Sequence, residues 1–151
     1  MASSILLKRI SVIFLFISML LSCRVTLVPE YNAQLEGQIA NAAKATDRLY
    51  IDMLDVPLNN RTYDSFKDRY NDIESEINSI QLKNEARSKN ADFLVINKNL
   101  KEAFEEAKKY HKDNSTLSNG EAKAYQATLA GFWKPLYLAE IALKAPDKSN
   151  K

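Results

Sequence analysis

Apolar residues in this chain follow two regimes. From Ile10 to Leu21 they form an almost unbroken run, whereas from Leu35 onward they recur at alternating spacings of four and three. The alternation keeps side chains on one face of an α-helix, which turns once every 3.6 residues. Leu35, Ile39, Ala42, Thr46, Leu49, Met53 and Val56 form the first such seam. It predicts a helix from Pro29 to Val56. A proline costs little in a first turn, and Glu30 suits the positive end of the helix dipole. Pro57, Asn59 and Asn60 stop it. A second seam, Tyr63, Phe66, Tyr70, Ile73, Ile77 and Ile80, predicts a second helix with Thr62 as its N-cap.

Continuing that second register places Asn84, Arg87, Ala91 and Lys98 inward, which is a poor apolar face. A better seam, Phe93, Ile96, Leu100, Ala103, Ala107 and Tyr110, lies two residues out of phase, about 200° around a helix. The polar run from Asn84 to Asn90 is therefore the expected turn, with Ser88 or Asn90 capping a third helix. A polar loop follows from Asp113 to Gly120. Ser118 and Glu121 then have the spacing of a capping box. The fourth seam is Tyr125, Leu129, Phe132, Leu136, Ala139 and Leu143, with Pro135 in its interior and Gly131 four residues before it, so a local kink is expected there.

Four amphipathic helices joined by short connections predict an all-α, antiparallel up-down-up-down four-helix bundle over residues 29–144, with a disordered polar tail at 145–151. Beside the fourth seam runs a second apolar stripe of Trp133, Tyr137 and Ile141. One bundle face seldom needs two stripes. Aromatic residues are typical interface anchors, so these three residues are the candidate partner surface. Trp133 is expected to stay partly exposed, in a groove opened against helix 1 by the kink.

The earlier apolar run has a different meaning. Arg24 closes it after about a dozen residues, short of the roughly 20 that span a bilayer. Lys8 and Arg9 precede the run, and Ser22 stands directly before Cys23, the only cysteine. Basic, apolar, then small at the cut is the plan of a secretory signal peptide. Its ending, Leu20-Leu21-Ser22-Cys23, resembles the lipobox of bacterial lipoproteins. The resemblance implies removal of residues 1–22 and acylation of Cys23, which also explains why the cysteine is solitary. Arg24, where an aspartate would favour inner-membrane retention, implies the outer membrane with the domain facing the periplasm. Residues 23–28 would be the lipidated cysteine and a linker of at most about 17 Å. The bundle is thereby held close to its membrane.

Charge changes the picture twice. The leader carries Lys8 and Arg9 of the 21 basic residues and none of the 19 acids, so the mature chain is formally balanced. Nucleic acid is not an expected partner. At the end of the bundle nearest the anchor, however, Arg24, Lys83, Arg87, Lys89, Lys144 and Lys148 outnumber Glu30, Glu85, Asp92 and Asp147. Lys83, Arg87, Lys89 and Lys144 are the candidate membrane-facing basic end. Catalytic chemistry is sparse. His111, the only histidine, reads as an exposed residue near a helix end, and the predicted seams carry no Asp or Glu for a di-iron site. No metal, cofactor or enzymatic activity is expected. The functional expectation is a lipid-anchored helical interaction module of the cell envelope. The alternative is a binding protein for a small apolar ligand or lipid held between helices.

Overall fold

The computed structural model describes residues 28–144. Cys23, the leader, most of the linker and the tail at 145–151 lie outside them. Helix α1 spans Ala33–Asp55, α2 Tyr63–Glu85, α3 Ala91–Asn114 and α4 Asn119–Ala142, with a 3-10 turn at Leu58–Asn60. Each helix packs on two neighbours: α1 on α2 and α4, and α3 on the same pair. Contacts run in opposite order along adjacent helices. Asp52 meets Arg69 towards one end of the α1–α2 pair, and Gln38 meets Lys83 towards the other. The result is the antiparallel four-helix bundle that the seams predict.

Local sequence explains most helix ends. Helix α1 starts later than the proline suggests. Asn32 is extended and accepts from the N–H groups of Gln34 and Leu35, while Pro29 is buried ahead of the helix. A side-chain oxygen that satisfies two orphan donors outweighs the mild preference of proline for a first turn. Thr62 caps α2 by accepting from Ser65 N–H, and Ser118 and Glu121 form the complete reciprocal capping box on α4. The α2–α3 reversal uses no glycine; Lys89 takes the left-handed conformation instead, at φ 59°. Asn90 occupies the N-cap position of α3, yet its amide donates back to the carbonyls of Asn84 and Glu85. It closes the preceding helix.

The α3–α4 connection is tighter than a polar loop. Helix α3 runs on to Asn114, Ser115 turns the chain at φ 66°, and Leu117 plugs the core with no exposure. Tyr63 N–H donates to Ser115 O, stitching this connection to the start of α2. Helix α4 carries through Pro135 without a break; Pro135 and Gly131 both lie on its exposed side.

The first two seams bury as expected, except that Val56 and Tyr63 are only half-buried and Tyr50 joins the core. In α3 and α4 the buried face is turned from the expected one. Helix α3 buries Phe93, Asn97, Leu100, Phe104, Ala107 and His111, leaving Ile96, Ala103 and Tyr110 at the flank. Helix α4 buries Ala122, Leu129, Trp133, Leu136 and Glu140, with Phe132 and Ala139 at the flank. Expectations of an acid-free core and an exposed histidine are both overturned. Among the described residues, no helix is long and apolar enough to cross a membrane.

Candidate functional site

Between α1 and α4 lies an open groove of about 420 Å³. Small side chains make its walls: Ala40 and Ala43 from α1, Ala130 from α4. Their small size lets α1 and α4 leave room between them. Trp133 stands on the core side of the groove, 3% exposed, its indole N–H donating to Thr46 Oγ1 at 3.0 Å. Thr46 in turn donates to the Ala42 carbonyl at 2.9 Å, so the floor is polar-satisfied. Towards one end Gln126 donates to Asp47 at 2.7 Å; towards the other Tyr137 is half-buried in the wall, and exposed Lys134 also lines the site. Trp133 is thus a core residue, against the expectation of a partly exposed anchor. Of the expected stripe, Trp133 and Tyr137 come together in the groove, while half-buried Ile141 does not line it.

The end of the bundle where the chain enters is built around Glu140. This carboxylate has no exposure and pairs with Arg87 at 2.7 Å, while its other oxygen accepts from Asn32 N–H at 2.8 Å. Arg87 also donates to Asn84 Oδ1 and to the Glu30 carbonyl. One ion pair therefore ties together the lead-in to α1, the α2–α3 turn and the end of α4. The four expected basic residues gather at this end, and three of them have side-chain partners there. Arg87 is taken up by Glu140, Lys144 pairs with Glu36 at 2.6 Å, and Lys83 donates to Gln38 at 2.7 Å. Hydrogen bonds from Lys144 and then Tyr31 hold the Glu36 carboxyl below its ordinary pKa. Lys89 sits at the turn itself.

The opposite end has its own polar cluster, around His111. Its Nε2 lies 2.8 Å from the Arg61 carbonyl, which can only accept, so Nε2 carries the proton. Nδ1 is then the acceptor for the Tyr70 hydroxyl at 3.1 Å. Burial depresses the His111 pKa, and the Arg61 carbonyl opposes the shift in part. Burial likewise raises the Tyr70 and Tyr50 pKa values. Arg61 is itself 5% exposed, and its guanidinium donates to the carbonyls of Val56 and Leu54 and to Asn119. It caps the end of α1 from the loop. Its position just after a helix end was the available signal for this role. His111 does not line the shallow cleft beside it, which is formed by Thr62, Tyr63, Asp64, Lys67, Lys112 and Ser115. The cluster holds a bundle end together, with His111 fully buried inside it.

Among the described residues, no three His, Cys, Asp or Glu side chains are grouped so as to hold a metal ion. Comparison with protein-family models, with curated proteins and with solved structures returns no match.

Proposed function

We propose that this chain is a bacterial lipoprotein, anchored by acylated Cys23 to the periplasmic side of the outer membrane, whose bundle is a non-catalytic interaction module. The observation that carries the anchoring is the single cysteine at the end of a lipobox-like leader. Two or more acyl chains hold a protein stably, whereas one binds only weakly. On this reading the α1–α4 groove receives an apolar helix or peptide from an envelope protein. Alanine walls permit close approach of a second backbone, and Tyr137 supplies a rigid, half-buried contact.

A second reading is favoured by one feature. The groove volume of about 420 Å³ falls in the range of small-molecule sites, so an apolar ligand or lipid between the helices is the alternative.

Labelled palmitate should enter the wild-type chain and not Cys23→Ser; equal labelling of both sinks the anchor. A photo-crosslinking residue at Ala130, in the native envelope, then separates the two occupants. A discrete protein adduct, absent with the crosslinker at Asn78 on α2 and lost in Ala43→Trp, supports the interaction module. A lipid adduct supports the second reading, and no adduct at all removes the groove as a site.

A further inference from the structure

Large apolar side chains left exposed on this bundle are not scattered along it. Among the described residues they are Val28, Ile51, Leu58, Leu82, Val95 and Leu138. Four of these six crowd one end, and they include the three most exposed: Leu82 at 67%, Val95 at 59% and Val28 at 57%. Leu82 precedes the last residue of α2, Glu85, by three positions. Val95 follows the first residue of α3, Ala91, by four, and Leu138 precedes the last of α4, Ala142, by four. At 1.5 Å per residue, all three stand about 4–6 Å from the same end. Val28 lies on the lead-in to α1 at that end, where Glu30 meets Arg87.

Single exposed apolar residues are ordinary on protein surfaces. Their shared height is not, and neither is their distribution. They project from the lead-in and from three different helices, so they ring the end and do not form one side face. A protein partner buries a contiguous face. A planar apolar medium meets a whole end at once.

We infer that this end is a membrane-inserting collar, in which Val28, Leu82, Val95 and Leu138 sink into the headgroup–acyl boundary of the bilayer. The inference rests on the anchored reading above, because Cys23 lies five residues before Val28 and ties this end to the lipid surface. An amphipathic surface buries its apolar side chains about 5–10 Å deep, which spans the height of the collar. Two of the four basic residues at this end bring no net charge to the bilayer. The cations of Arg87 and Lys144 are already neutralised by Glu140 and Glu36. Attachment through the collar itself is apolar in character and survives salt, unlike headgroup attraction by lysines, which screening weakens.

The test uses the purified full-length lipoprotein, reconstituted into vesicles of phosphatidylethanolamine and phosphatidylglycerol. Four variants each carry one new thiol: Leu82→Cys, Val95→Cys, Leu138→Cys, and Leu58→Cys at the opposite end as control. Each is labelled with a membrane-impermeant maleimide, in vesicles and in detergent-free buffer after enzymatic release from the anchor. The collar positions should label at least tenfold more slowly in vesicles, at low and at high salt alike, while Leu58→Cys reacts at one rate throughout. Equal rates at all four positions overturn the collar, and protection that disappears in salt replaces it with headgroup attraction. Intact mass reads the anchor separately. An acylated chain with unprotected collar thiols keeps the anchor and loses the collar. A chain without acyl groups that floats with vesicles and protects the collar thiols does the reverse, and one that does not float loses both.

Discussion

Arg87→Ala is the sharpest perturbation this fold offers. Glu140 has no exposure and Arg87 only 12%, so their 2.7 Å pair is enclosed. The truncation strips the carboxylate of both guanidinium contacts and leaves it the N–H of Asn32. It also frees Asn84 Oδ1 and the Glu30 carbonyl. Removing one partner of a buried pair costs about 3–5 kcal/mol, because the remaining charge is stranded in a poor solvent. Domains of this size hold only about 5–15 kcal/mol in all. At about 4 °C per kcal/mol, the melting temperature should fall by about 12–20 °C. The comparison is a cycle with Glu140→Leu and the double variant Arg87→Ala/Glu140→Leu, which carries no buried charge. The double variant should recover most of the loss, short of about 1–3 kcal/mol for the unpaired Asn32 N–H. Urea unfolding followed by helical circular dichroism gives each corner. Lys144→Ala, which breaks the surface pair with Glu36, serves as the control and should change little. A loss below about 1 kcal/mol for Arg87→Ala would show that water reaches Glu140, and would remove the ion pair as the clamp of this end.

Three further outcomes are expected. His111 is buried neutral with its pKa depressed, so the unfolded chain binds the proton first; stability is full above about pH 6.5 and declines as pH falls below it. Urea midpoints from pH 7.5 to 5 should therefore drop in wild type and drop less in His111→Gln, and parallel profiles would refute the assignment. Asn97 is fully buried with neither side-chain oxygen nor nitrogen hydrogen-bonded, so Asn97→Leu should gain about 1–3 kcal/mol, and a loss in the same unfolding assay would contradict that account. Trp133→Ala should cost about 3–5 kcal/mol. The native tryptophan should emit in the blue and resist aqueous quenchers, and ready quenching would place it outside the core.

The architecture was legible because apolar periodicity and capping chemistry are both local. Seams in α1 and α2 read correctly apart from Val56, Tyr63 and the added Tyr50, since most of their inward positions are also their most apolar ones. Ser118 and Glu121 announced their helix start for the same reason: both partners of the reciprocal bond lie within one turn. Asn32 was overlooked because Pro29 offered a competing start three residues earlier. Its capping role depends on an extended backbone that no residue type enforces.

Helices α3 and α4 failed differently, and the failure points to where the structure is most specific. Choosing the most apolar face selects Ile96, Ala103 and Tyr110 over Asn97, Phe104 and His111, because two of the latter are polar. The fold selects the second set. It gains the Phe104 ring against Tyr70, at 5.8 Å between centroids, and can bury His111 because Tyr70 and Arg61 complete its hydrogen bonds from α2 and its lead-in. In α4 the same logic puts Glu140 inside, because Arg87 meets it from a turn 53 residues earlier. Trp133 follows Glu140 inward, about two turns back on the same face, and so leaves the exposed stripe to which its neighbours assigned it. Buried polar residues are stable only with their partners, and those partners come from other elements of the chain. A single-sequence periodicity cannot score such pairs. The two polar clusters lie at opposite ends of the bundle, each joining a turn to the helices on either side. Those are the places where an antiparallel bundle has the fewest apolar neighbours to fix its register, and a paired polar group can hold only one alignment.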